Sequence, residues 1–209
     1  MNIQKAVEEY VLGSKSIVDC LKNGLVNYSA LSRNISKELK LKEKDFDAVL
    51  VACRRYADKL KKKNGFERQI KNLLKNSKLE IKNKVAVAVV EKNIFFNNLI
   101  ELQKEIKKKD ELFRIIEGLN AITIITSEEF VYKLKVLFKN KIININLGMV
   151  EVTLKSSEEL EEVPGVMAYL YSLFGEKGIN IIETMSCWTD TIFVIDEKDL
   201  TPVMELLRF

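Results

Sequence analysis

The 209-residue sequence predicts an α+β protein, in which an all-helical N-terminal domain is followed by two interlocked units of βαββαβ order. Three observations support this prediction. Apolar residues recur at helical spacing through residues 1–77, the period changes from 3.6 to 2 near residue 78, and the βαββαβ order then occurs twice. That order is typical of ferredoxin-like sheets. We therefore expect a helical domain (1–77), a first unit (78–147) and a second unit (148–209).

Two amphipathic helices near the N-terminus are joined by a short polar link. The first covers residues 29–39, and the second runs from about residue 45 to about residue 63, where Asn64 and Gly65 end it. The link is close to the short turn of a helix-turn-helix motif, and the second helix would be the recognition helix. The sequence therefore predicts a helix-turn-helix-like arrangement in the N-terminal domain.

Positive charge is concentrated in the same region. Residues 1–78 carry 18 Lys and Arg against 9 Asp and Glu, a net charge of +9, whereas the rest of the chain has a net charge of −5. A basic part of this kind suits polyanions such as duplex DNA, although it is also what an ordinary solvated, lysine-rich surface looks like. The side chains expected to contact phosphates are Arg33, Arg54, Arg55 and Lys59.

Two acidic residues oppose the DNA interpretation. Asp45 and Asp47 lie in the first turn of the second helix, where base contacts are normally made and where carboxylates repel phosphates. They are also ordinary helix N-terminal carboxylates, which interact favourably with the helix dipole. An interaction or dimerisation role for the helices is therefore the alternative to DNA binding.

The residue types argue against catalysis and against a membrane location. The sequence contains no histidine, which removes the commonest general base and the commonest metal ligand. Its three cysteines show none of the spacings used by disulfide frameworks or zinc sites. No apolar run reaches the roughly 18 residues of a transmembrane helix. We expect a cytoplasmic protein that is not an enzyme and has no metal or cofactor.

The second unit lacks its final strand. The chain given ends after the last predicted helix, so the sheet of that unit would keep an unpaired edge. Residues 78–82 form a spare strand immediately before the strand at 85–90 that opens the first unit. We predict that residues 78–82 complete the second unit, which would interlock the two units.

One segment has the features of a small-molecule site. Pro164 and Gly165 open a helix after a strand, so the free N–H groups there can receive a carboxylate. Gly178 closes that helix, and the next strand begins at once, which we expect to bring Asn180 to the same end of the sheet. The predicted ligand-binding residues are Pro164, Gly165, Val166, Met167, Asn180, Ile181 and Ile182.

Three motifs carry a resemblance to a known family: PGV at 164–166, LFGEKGINIIETMS at 173–186 and TIFVIDEKDLTPVMELL at 191–207. They resemble the tandem ACT regulatory domains at the C-terminus of aspartokinases, where one unit interrupts the other and an end-product amino acid binds. Over residues 78–147 only the order of elements and the extra leading strand match. The sequence contains no kinase domain, so the resemblance implies sensing alone.

Together these features predict an amino-acid-sensing regulatory protein, acting as a homodimer, with duplex DNA as one potential partner. Its alternative is a non-sensing ACT-like scaffold that regulates a partner enzyme through protein–protein contacts. Cys187 to Asp190 replace the Ser-rich stretch usual in the family, and Trp188 would either close a pocket or pack at an interface.

Overall fold

Contacts in the computed structural model divide the chain into Met1–Gln69 and Ile70–Phe209, which we call the helical part and the sheet part. The structure describes residues 2–61, 65–94 and 96–209. The predicted helix end at Asn64 lies outside these residues. Within the described ranges, no helix is long and apolar enough to cross a membrane.

The described residues of the helical part pack around one helix, α4. The helices are α1 (Ile3–Leu12), α2 (Lys15–Lys22), α3 (Tyr28–Glu38) and α4 (Phe46–Lys61). Asn27 caps α3 by accepting a hydrogen bond from the Ala30 N–H at 3.0 Å. Helix α4 contacts α1, α2 and α3, because apolar side chains such as Val49, Cys53 and Tyr56 recur along it and are buried. A 3₁₀ turn, Glu43–Asp45, precedes α4.

Among its described residues, the sheet part contains six strands and the helices that cover them. Helix α5 is Gly65–Lys75, and its buried residues Ile70, Leu73 and Leu74 belong to the core of the sheet part. The later elements are β1 (Lys78–Glu91), α6 (Phe96–Lys108), β2 (Phe113–Glu117), β3 (Ala121–Ser127), α7 (Val131–Phe138), β4 (Ile142–Lys155), α8 (Val166–Glu176), β5 (Ile181–Cys187), β6 (Asp190–Asp196) and α9 (Leu200–Leu206). The strand order is β2-β3-β1-β4-β6-β5, and neighbouring strands are antiparallel.

Strands β1 and β4 each run through both halves of the sheet. Residues 78–82 of β1 pair with residues 151–155 of β4, and residues 85–90 pair with residues 142–149. We predicted separate strands on either side of Asn83, whereas the structure has one continuous strand with shifts in its register. Lys84 and Gly148 adopt positive φ angles of 55° and 69° beside these shifts. Such bulges bend a strand without ending it, which explains the continuity.

The sheet curls so that its two outer strands approach each other. One face is covered by helices: α5, α8 and α9 over one half, and α6 and α7 over the other. On the opposite face, Ile116 of β2 and Met185 of β5 pack against one buried cluster. In a flat six-stranded sheet these strands would lie about 24 Å apart, at roughly 4.8 Å per strand. The members of that cluster are Val85, Val87, Leu112, Ile125, Met149 and Val194.

Candidate functional site

The N-terminus of α8 presents backbone N–H groups with no side-chain cap. Gly165 is the N-cap residue, with a φ of 93° that favours glycine, and no side chain accepts a hydrogen bond from the first turn. Pro164 and Gly165 are exposed, whereas the Val166 side chain is buried in the core. Val166 can therefore contact a ligand through its backbone but not through its side chain. An anion is the natural complement of such a helix end.

Hydroxyl groups surround the end of the sheet that faces the first turn of α8. The buried Thr191 hydroxyl lies 3.9 Å from the Met167 sulfur. Ser77 and Ser156 share a hydrogen bond of 2.8 Å between their hydroxyl oxygens, and the Ser156 N–H donates to the Thr189 carbonyl at 2.8 Å. This end of the sheet therefore combines the uncapped N-terminus of α8 with the hydroxyl groups of Thr191, Ser77 and Ser156.

The other predicted ligand residues lie at the opposite end of α8, so the expectation that Asn180 shares one end with Pro164 is wrong. Ile181 pairs with Ile195, which pairs with Val150, whereas Met167 in the first turn of α8 lies beside Thr191, the neighbour of Asp190, which pairs with Lys155 at the other end of the sheet. The 11 residues of α8 separate the two groups by about 16 Å. The error came from the helix, which carries the chain back along the sheet before β5 begins.

Asn180, Ile181 and Ile182 differ in what they present to a ligand. Asn180 is exposed, whereas Ile181 packs on the helix-covered core and Ile182 packs on the cluster of the opposite face. Asn180 is therefore the one residue of this group with a free polar side chain. Trp188 lies in the β5–β6 turn with a φ of 51° and 59% exposure, and its two alternative roles, closing a pocket or packing at an interface, both stay predictions.

A buried ion pair connects β2 to β4, and sequence analysis missed it. Arg114 Nε and Nη2 donate to the two carboxylate oxygens of Glu151 at 2.7 and 2.8 Å. The Glu151 side chain is 1% exposed and that of Arg114 31%. Their hydrogen bond raises the pKa of Arg114 further above its ordinary value. The signal was available: Glu151 interrupts the apolar run MVEVTL of a buried strand.

The predicted nucleic-acid contacts all lie on exposed positions of the helical part. Arg54 and Arg55 project from α4, and Arg33 lies on α3 beside a cavity of about 400 Å³ that Asp47 also lines. Lys59 forms an ion pair with Glu8, whose carboxylate oxygen lies 3.3 Å from its Nζ. Exposure alone does not distinguish a phosphate-binding face from a solvated one, so DNA contact stays a prediction.

A further cavity of about 510 Å³ lies between the end of α5 and α9. Apolar side chains including Leu74, Leu79 and Met204 line it, together with Lys75 and Arg208. None of the predicted ligand residues belongs to this cavity. Across the described ranges, no group of three or more Cys, Asp or Glu side chains could hold a metal ion.

Comparison of the structure with solved structures finds aspartate kinases. The aspartate kinase of Clostridium acetobutylicum, described as an allosteric enzyme, matches with a TM-score of 0.52 at 10% identity, over 62% of this chain and 33% of that chain. A putative C-terminal regulatory domain of aspartate kinase from Porphyromonas gingivalis W83 gives 0.49 at 9% identity, over 64% of this chain and 95% of the other. The ligand-free regulatory subunit of aspartate kinase from Thermus thermophilus matches with a TM-score of 0.49 at 10% identity, over 62% of this chain and 93% of that chain.

At these identities the likeness concerns the fold alone. This chain spans a third of the length of the C. acetobutylicum enzyme, and it shares a similar fold with the matched part of that enzyme. No family model and no curated protein matches the sequence. The whole enzyme's activity therefore does not transfer to this chain.

Proposed function

We propose that the protein is an amino-acid-sensing regulatory protein without catalytic activity, built from two interlocked ferredoxin-like ACT units and a helical domain. The observation that carries the proposal is the uncapped N-terminus of α8, where Met167 lies beside the Thr191 hydroxyl. The α-carboxylate of the ligand would accept hydrogen bonds from the N–H groups of Val166 and Met167. The helix dipole adds to the attraction.

The α-ammonium group of the ligand has complementary charge near the same helix end. Glu161 and Glu162 precede Pro164 by two or three residues and are exposed. Asn180 is too far away to join this site within one copy of the chain, so its participation requires a second copy. We therefore propose that Pro164 to Met167 form the main site, and that Asn180 to Ile182 contribute only across a homodimer contact.

Ligand binding can regulate the protein only if it shifts the equilibrium between two of its conformations. The ligand must bind one conformation of the protein more tightly than another, because equal affinities shift nothing. The output would be the helical domain, whose predicted partner is duplex DNA, or a partner enzyme that contacts the protein directly. The alternative, a non-sensing scaffold, predicts no ligand at all.

A thermal-shift screen against the proteinogenic amino acids tests the proposal. A ligand present at about 100 times its Kd stabilises the folded state by about 2.7 kcal/mol, which raises the melting temperature by several degrees. A melting temperature that no amino acid moves would favour the scaffold instead.

The site is tested with Ala168→Asp. Ala168 is exposed in the first turn of α8, so a carboxylate there interacts favourably with the helix dipole and keeps the fold, while it competes with the ligand's own carboxylate. We expect the ligand-induced shift to disappear in Ala168→Asp and to persist in the neutral control Ala168→Asn. Loss of the shift in Met204→Trp, with Ala168→Asp unaffected, would instead place the ligand in the cavity beside α9.

A further inference from the structure

The first half of β4 forms an exposed sheet edge without charge. Residues 142–147 pair with β1 on one side, and on the other side no strand among the described residues pairs with them, because β6 pairs only from Met149 onward. Their sequence is Ile-Ile-Asn-Ile-Asn-Leu. Ile143 is 59% exposed and Leu147 53%. Free backbone N–H and C=O groups therefore lie beside exposed apolar side chains.

The other edges of the sheet carry charged residues. Residues 78–82 contain Lys78, Glu80 and Lys82, β2 contains Arg114 and Glu117, and β5 contains Glu183. Charged side chains, lysine above all, are how proteins prevent unwanted pairing at an exposed edge. Among the described strands, residues 142–147 form the edge segment that lacks this protection, which is expected of an edge that has a partner.

We propose that residues 142–147 pair with the same segment of a second copy of this chain, antiparallel and about a twofold axis. The sequence is self-complementary when the axis passes through Ile145. Ile143 then lies opposite Leu147 of the second copy, and Asn144 lies opposite its Asn146. The exposed apolar residues meet on one face and the amides on the other, where Asn144 and Asn146 already share a hydrogen bond of 3.1 Å within one chain.

Charge and symmetry favour a second copy over an unrelated strand. Nothing in the segment repels its own image, and Lys141, which flanks it, forms an ion pair with Glu91 at 2.9 Å. Twofold pairing uses the edge of both copies at once, so the assembly closes as a dimer and leaves no such edge exposed. This pairing does not depend on the proposed ligand or on its site.

Sedimentation equilibrium of the full chain tests the proposal. We expect a species with twice the 24.1 kDa of the chain. The double variant Ile143→Lys with Leu147→Lys places like charges opposite each other and should weaken association by roughly 100-fold or more. Leu119→Lys, at a position 87% exposed in the β2–β3 turn, is the matched control and should remain a dimer. Circular dichroism checks that each variant is folded.

A charge exchange tests the register. The variant carrying Ile143→Glu with Leu147→Glu should also be monomeric alone, yet should form a heterodimer with the double lysine variant, because position 143 of one copy faces position 147 of the other. A wild-type chain that stays monomeric at its highest soluble concentration would overturn the pairing. So would a lysine variant that remains dimeric, or a mixture of the two variants that does not associate.

Discussion

Removing Arg114 should destabilise the sheet part strongly, because it leaves the buried Glu151 carboxylate without its cation and with only the long 3.5 Å hydrogen bond from the Thr153 hydroxyl. Glu151 is 1% exposed, and Arg114 supplies both of its short hydrogen bonds. Removing one partner of a buried ion pair lowers the free energy of unfolding by about 3–5 kcal/mol. Arg114 itself is 31% exposed, so solvent can reach the pair, and we expect Arg114→Met to cost about 3 kcal/mol. Total stabilities of about 5–15 kcal/mol make this a large loss.

Replacing both partners should restore most of that stability. In Arg114→Met with Glu151→Leu no charge is buried, and such apolar replacements of buried pairs are often neutral or stabilising. The two single variants and the double variant therefore form a double-mutant cycle with a coupling energy of about 2 kcal/mol or more. The measurement is urea unfolding of the full chain, followed by fluorescence of Trp188, the single tryptophan, which lies in the sheet part.

Two results would refute this reasoning. If Arg114→Met costs less than about 1 kcal/mol, the carboxylate of Glu151 is solvated and the sheet does not curl tightly over it. If the double variant loses the sum of the single losses, the two side chains act independently and the pair does not join β2 to β4. Either result would also question the buried cluster shared by the outer strands.

The remaining predictions concern the helical part and the thiols. Burial raises the pKa of the Cys53 thiol, whereas Cys20 and Cys187 are exposed. An aromatic disulfide reagent should therefore label Cys20 and Cys187 of the native protein quickly, and Cys53 only on unfolding. Equally fast labelling of all three thiols would contradict the packing of α4. If the helical domain binds duplex DNA through six or more phosphates, its affinity should fall by roughly three decades between 50 and 200 mM salt, and Arg54→Ala with Arg55→Ala should lower the salt slope by about two. No retention on DNA at low salt would eliminate that partner.

Local signals in the sequence were enough to predict the order of the elements. Periodicity located the helices and strands to within a few residues, since it reports which side of each element is buried. The motifs within residues 164–207 resembled a part of aspartokinases, and the comparison of folds independently finds an aspartate kinase.

Three-dimensional relations were harder to predict than the elements themselves. Asn180 was assigned to the wrong end of the sheet because the inference followed the chain and neglected the length of α8. The Arg114–Glu151 pair was missed because its partners are 37 residues apart and meet only when the sheet curls. A single lysine, Lys84, carries the left-handed bend that makes β1 continuous, and nothing in its residue type marks it.

The strand shared between the two halves affects the order in which the chain can fold during synthesis. Residues 85–91 can pair with β3 once residue 127 is made, but residues 78–82 must wait for residues 151–155. Throughout that interval residues 78–82 lack the strand with which they pair in the folded protein. Lys78, Glu80 and Lys82 give this segment the charge that discourages aggregation while its partner is still being translated. The segment that waits longest for its partner strand, residues 78–82, is therefore also one that carries charged side chains.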